Sequence, residues 1–447
     1  MSTEVAAPPA EAERAGGGGL PAASLPESLK VLRTGVLPAI GRGLFVPRRG
    51  AMKLLTRLDT DRRAVRALAK LRDKHGGEGL RLLGGRIVVV WGRDAIREVL
   101  DQSADVYASD SGAKAKGMAH FQPEALTLSR GEEWADRRRF NESVLATSER
   151  LHPFAERFLT VAGDEVRRLQ LDGGLEWADW ERLFDRLTLR VVFGDRASDD
   201  QELTGLLEKL LAESNRLPGP GPNDTYYEFY GRLEGYLRDP EPGTLLARFA
   251  DAPQTDRTRV VQQIPHWMFA TRDTLGANAY RALGAIVADP AVERRVRDEL
   301  GGADLSDPAA IDGLSYLQGC LEETMRLWPT TPLIGRETTR DTTLAGERIE
   351  EGTQVLLLNA FNHRDPKERN PDRLDAERWA DGGRDYRFNH LSNGTQDCPG
   401  GPLVHLLGKA VLAQVLDRWS PRLEEPRLDP EEPLPYMLDF YRMRFAL

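Results

Sequence analysis

Cysteine is scarce in this chain: Cys320 and Cys398 are the only two in 447 residues. Two thiols cannot form a disulfide framework, and no C-x-x-C pair or histidine-rich tract accompanies them to make a zinc site. A long apolar run is missing from the start, where Met1 to about Pro26 is Ala, Pro, Gly and Glu. That composition predicts a disordered tail over 1–26 rather than a signal or membrane anchor. A basic excess is missing too. Lys and Arg number 61 against 70 Asp and Glu, and the formal charge of −9 argues against general nucleic-acid binding. There is no internal repeat. These absences predict a soluble, cytoplasmic protein with no membrane and no nucleic-acid partner. A composition of 40% hydrophobic and 29% charged residues supports a large core, and residues 27–447 show no composition break.

The periodicity is mostly helical. Amphipathic stretches cover about 130–170, 175–193, 200–215, 225–238 and 257–288, with a Pro/Gly break at 217–222. Alternation in Leu80–Leu83 and the run Arg86–Trp91, split by Gly84-Gly85, predicts an early β-hairpin. A second β region is predicted at 342–346 and 353–358. The fold class is therefore mainly α with small β-sheets.

Cys398 lies in Asn393-Gly394-Thr395-Gln396-Asp397-Cys398-Pro399-Gly400-Gly401-Pro402. Gly394 permits a tight reversal with positive φ, and Gly400 permits close backbone approach. Pro402 suits a first helical turn, and the apolar run 403–412 continues as a helix. A thiol just before a helix N-terminus has its thiolate favoured by the dipole and the free N–H groups. Such a loop fits a thiolate held against a flat cofactor, as in haem chemistry; a buried structural cysteine fits it equally until other segments decide.

Those segments exist. Glu323 and Arg326 share a helical face at i,i+3, and Asn370–Trp379 is a turn-rich stretch whose Arg378 can complete a Glu-Arg-Arg network. With the cysteine loop, they make the chain resemble the cytochrome P450 family. Trp134-Ala135-Asp136-Arg137-Arg138 matches the family's W-x-x-x-R, Glu323 and Arg326 its E-x-x-R, and His363-Arg364-Asp365-Pro366 its N/H-R-D-P turn. Phe269-Ala270-Thr271-Arg272-Asp273-Thr274 resembles its A-G-x-D-T, with Thr271 in place of the usual glycine. The loop departs from the pattern at Leu391, where Phe is usual, and at Gln396, where Arg or His often binds a propionate. Such changes bear on redox tuning.

The resemblance implies the cytochrome P450 fold, with haem between the long central helix and the cysteine-loop helix. Cys398 would be the metal ligand of haem b. Trp134, Arg138, Ala270, Arg336 and Gly400 would be cofactor contacts, and Glu323, Arg326 and Arg378 a structural network fixing the cysteine loop. Asp273 and Thr274 would be the acid–alcohol pair that delivers protons. The segments 103–128, 215–224 and 330–334 and the helix around Phe269-Ala270 would wall the substrate pocket. His363, His390, His405 and Cys320 are read as structural or core residues. The implied activity is a monooxygenase oxidising a small organic substrate, with specialised metabolism as its setting. With no flavin or iron–sulfur segment, electrons would come from NAD(P)H through separate partners, ferredoxin and ferredoxin reductase, steered by one or both of Arg137 and Arg139. Two other readings are a peroxide-driven haem-thiolate peroxygenase, with Arg272 binding a substrate carboxylate, and a non-catalytic haem-binding or sensor protein.

Overall fold

The computed structural model describes residues 19–43, 47–110, 112–171, 173–216, 221–382 and 385–447. Most of the expected tail lies outside them; within them Leu20 is buried and a helix begins at Leu25, with Pro26 in its first turn. Residues 217–220 of the expected 215–224 wall also lie outside.

Ten strands are present among the described residues: β1 (Gly79–Leu82), β2 (Ile87–Val90), β3 (Tyr107–Ala108), β4 (Leu175–Glu176), β5 (Leu333–Thr338), β6 (Thr342–Leu344), β7 (Glu347–Ile349), β8 (Gln354–Leu358), β9 (Arg422–Glu425) and β10 (Arg444–Ala446). The hairpin forms as predicted, β1 pairing antiparallel with β2 around Gly84 and Gly85, both at positive φ. It joins a five-stranded sheet of order β1-β2-β8-β5-β3, in which only β2 and β8 run parallel. Strand β5 was not expected from sequence, because Leu333–Thr338 carries Gly335 and Arg336 in place of an apolar run.

The long helices form the larger apolar core and depart from expectation at their ends. The stretch 130–170 is two helices, Gly131–Leu145 and Ala155–Arg167. Ala146 turns left-handed at φ 53°, and Pro153 has no N–H with which to continue a helix. The central helix begins at Ile264 rather than 257, with Pro265 in its first turn, where a missing N–H costs nothing. It runs to Ala288 as Ile264–Phe269, a π-helical turn Ala270–Leu275, and Gly276–Ala288. The Gly276 carbonyl beside that bulge accepts the buried Trp180 indole N–H at 2.9 Å. The cysteine helix, Gly401–Arg418, crosses close to two neighbours at Gly408. A Cβ there would come 2.6 Å from a Leu321 methyl and 3.2 Å from a Leu275 methyl, so a larger residue would push those leucine side chains aside.

Candidate functional site

The cysteine loop is anchored from below and at its side. Gly394 sits at φ +69°, and a Cβ there would lie 2.4 Å from the Leu100 carbonyl, so the reversal requires glycine. Thr395 Oγ1 donates to Leu100 O (3.2 Å) and Ser103 O (2.8 Å), and Cys398 N donates to Leu391 O at 2.8 Å. Cys398 is half-buried, two residues ahead of the N-cap Gly400, with Pro402 in the first helical turn. Neither it nor the buried Cys320 forms a disulfide. Burial pushes the Cys320 thiol well up, which makes that residue inert.

A buried polar path reaches this loop from the helix Ser315–Leu327. Arg326 grips Glu323 with two bonds of 2.7 Å, and Arg378 Nε adds a third to Glu323 Oε1 at 2.9 Å. Glu323 also accepts from Trp379 Nε1 and Asp375 N. The Arg326 carbonyl accepts His363 Nδ1–H at 3.1 Å. His363 Nε2 in turn accepts Asn389 N–H at 2.7 Å, and Asn389 Oδ1 accepts from Asn393, next to Gly394. Burial holds His363 well below the usual imidazole range, so it is neutral with its proton on Nδ1. One residue before Glu323, Glu322 bridges His390 and His405, the latter at 2.7 Å. That clamp spans the loop on both sides of Cys398.

The edge of the site is cationic. Arg138 donates to Asp397 O and Oδ1, each at 2.6 Å, and to Glu142, so its guanidinium braces the residue before Cys398. Arg336 is 6% exposed; its Nε donates to Ser103 Oγ at 2.9 Å and one terminal nitrogen to Gly335 O. No carboxylate pairs with it among the described residues, and burial alone pushes it down to about 10. Trp134 is half-exposed one turn before Arg138.

On the central helix, the π turn contains Ala270, Thr271, Arg272, Asp273 and Thr274. Such turns cluster at functional sites because they re-aim side chains and free backbone groups. Ala270, Asp273 and Thr274 are partly accessible, whereas Arg272 is 3% exposed. Arg272 is held by Asp185, by Glu208 and by Asp273 Oδ1. Asp273 Oδ2 makes no hydrogen bond among the described residues. Burial pushes Asp273 up to about 6 against the opposing pull of Arg272.

Comparison with known proteins adds the deciding observation. The family described as cytochrome P450 matches residues 244–439, which hold the central helix, the Glu323 network and the cysteine loop. Cytochrome P450 81F2 of Arabidopsis thaliana is 26% identical over 407 residues, 79% of this chain and 82% of its own. The chain belongs to the cytochrome P450 family. It is also similar to ferruginol synthase of Salvia pomifera (29% over 231 residues, 45% of this chain and 51% of that one) and to human cytochrome P450 4V2 (30% over 167 residues, 35% and 31%).

The residues of this P450 fit the haem that the family carries. A half-buried thiol sits at a helix N-terminus. Beside it Gly400 leaves open a space that a Cβ would enter, 3.9 Å from Cys398 Sγ and 3.8 Å from Leu145. Arg336 is a buried cation with no carboxylate partner among the described residues. The structure brings Glu323, Arg326 and Arg378 together around one carboxylate as expected, sets Arg138 on Asp397 of the cysteine loop, and sets Arg336 on Ser103, whose carbonyl Thr395 of the loop also contacts. One expectation is corrected: Arg137, 4% exposed with Nε on the Arg257 carbonyl, faces inward and cannot steer a partner. Only Arg139 is exposed, near Asp136 at 3.3 Å. Sequence reasoning missed Asp185, Glu208 and Glu322, none of which belongs to a local motif. Arg336 did carry a signal, since it shares the inward face of β5 with Ile334 and Thr338.

Proposed function

We propose that this P450 is an O2-dependent monooxygenase that oxidises a small organic molecule with electrons delivered from NAD(P)H by separate partner proteins. The observation that carries the reading is the buried path from Glu323 through Arg326, His363 and Asn389 to the loop presenting Cys398. Cys398 would ligate the iron, with Arg336, Arg138, Trp134, Ala270 and Gly400 around the macrocycle and residues 27–447 acting as one unit. Haem supplies the dioxygen-activating and electron-accepting chemistry when bound.

The chain's own residues manage protons and position. Burial raises Asp273 to about 6, so its carboxyl exchanges a proton just below neutrality. Thr274, the next residue on the same bulge, passes it inward through its hydroxyl. Arg272 turns its guanidinium toward Asp185 and the half-exposed Glu208, so fresh protons enter from the surface. This disfavours the peroxide-driven alternative, since Arg272 is occupied by three carboxylates and has no room for a substrate's. A sensor needs no such relay. Ferredoxin with its reductase is the proposed electron source, met by Arg139 rather than Arg137. Ferruginol synthase is named for a small-molecule product, in keeping with a small organic substrate here.

Replacing Thr274 by Ala tests the reading. Haem should be retained, while peroxide released per electron consumed rises severalfold. Unaltered coupling removes Thr274 from the relay.

A further inference from the structure

The helices that precede β1 close a small cavity against the second half of the central helix. Arg42, Met52 and Asp61 line it from the helices Leu37–Arg42, Arg49–Leu58 and Thr60–His75, and Arg281 lines it from Gly276–Ala288. The end of Ser315–Leu327 and the segment 436–438 complete the wall. The cavity offers about 20 Å³, room for one small ion or a water and too little for an organic ligand. Arg281 lies about 10 Å along the helix beyond Thr274. None of the residues assigned to the haem or to the relay lines this space.

Three arginines face the cavity against one aspartate. Arg364 is engaged at every nitrogen, by Asp372 and by the carbonyls of Leu434 and Pro435. Arg42 places Nη2 on both oxygens of Asp61 at 2.6 Å, but its Nε is buried and makes no hydrogen bond among the described residues. Arg281 is 6% exposed and meets only carbonyls: Nε donates to Leu438 O at 3.1 Å and Nη1 to Trp328 O at 3.3 Å. Three of its five N–H groups stay uncommitted. Asp439, the acid that pulls on it most, lies outside the lining and accepts Tyr441 N–H at 3.2 Å. Burial and the charge of Arg42 push Arg281 down to about 9, so it is still a cation at neutral pH.

A buried charge without a counter-charge is costly, and elsewhere this protein pairs its buried arginines. Arg190 meets Asp164 and Glu165, Arg272 meets Asp185, and Arg326 meets Glu323. Among the described residues only Arg281 and Arg336 are buried arginines with no carboxylate, and the haem site proposed above accounts for Arg336. A water would satisfy the free N–H groups of Arg281 but leave its charge; an anion answers both.

We propose that this cavity is a site for one inorganic anion of halide size, chloride in ordinary solution, held by the free N–H groups of Arg281 and by Arg42 Nε. The anion ties the helices before β1 to the central helix and to the segment 436–438. Stability at that junction therefore depends on which anion is present and not on ionic strength alone.

Thermal unfolding of the haem-loaded full chain tests the site, with sodium chloride at about 0.2 M compared with sodium gluconate, whose anion is too large for the cavity, at the same concentration. Wild type should melt about 2 °C higher in chloride. Arg281→Met should remove that difference. Asp61→Asn, which deletes the carboxylate competing for Arg42, should enlarge it. A merely structural role for either residue would move the two melting points together. Bromide should stabilise as chloride does and give an anomalous scattering peak between Arg281 and Arg42 in crystals. Should Arg281→Met fail to fold, Asp61→Asn and the bromide peak decide the matter. A difference under about 0.5 °C in wild type, one of equal size in Arg281→Met, one not enlarged in Asp61→Asn, or a cavity without a bromide peak overturns the site and assigns the space to water.

Discussion

At the scale of single residues, Asp273 is the most exacting. A carboxyl that titrates near 6 is protonated below that pH and charged above it, so proton delivery falls as pH rises through about 6. We expect turnover limited by that delivery to show this inflection in wild type and to lose it in Asp273→Asn, with a decrease of about 10²–10⁴-fold. Steady-state rates on either side of pH 6 check it; an inflection that survives in Asp273→Asn assigns the proton elsewhere. Gly394 makes a second prediction. Gly394→Ala places a side chain at φ +69° against the Leu100 carbonyl, costing roughly 1–2 kcal/mol for the backbone alone before the clash is added. Thermal denaturation measures the loss, and no change would mean that the loop is free to move. Both residues were legible because their chemistry is local: adjacency for Asp273-Thr274, a turn for Gly394. Asp185 and Glu208 were not, since they reach Arg272 from 87 and 64 positions away.

At the scale of elements, two polar clusters tie the cysteine loop to the helix Ser315–Leu327. Glu323 and Arg326 are fully buried, so Glu323→Gln leaves two arginines without a counter-charge at a cost of about 3–5 kcal/mol. The expected outcome is a protein that refolds poorly or retains little haem; full haem content at wild-type stability would contradict the bracing role. Glu322 behaves differently. Burial raises its carboxyl, but His390 and His405 outweigh that and hold it well below the usual carboxylate range. A carboxyl depressed in the folded state contributes stability above its unfolded value near 4.5 and loses it as pH falls below. Glu322→Gln should therefore be less stable at neutral pH and show a flatter acid limb under pH 4.5. Superimposable acid limbs would remove the clamp from the account. The E-x-x-R pair is visible at i,i+3. The histidine clamp is not, because residues 322, 390 and 405 share no helix or motif. Helix type was legible from 3.6-residue periodicity, whereas ends set by single prolines or a left-handed residue, at Ala146, Pro153 and Pro265, were placed wrongly.

At the scale of the whole molecule, the order of short motifs from Trp134 to Cys398 made the family legible without any single match being decisive. One or both of Arg137 and Arg139 could meet a partner on sequence grounds, and of the two only Arg139 points outward. Charge reversal of Arg139 should raise the ferredoxin concentration needed for half-maximal turnover at low salt, and unchanged kinetics would locate docking on another surface. No helix among the described residues is long and apolar enough to cross a membrane. The central claim is that Cys398, presented by this loop, ligates haem through its thiolate. The spectrum of the reduced carbon monoxide complex tests it most directly. The red-shifted Soret band of a thiolate ligand is expected in wild type and in Cys320→Ala and should vanish in Cys398→Ala, whereas an imidazole-type band in wild type, or a band that survives Cys398→Ala, would contradict it.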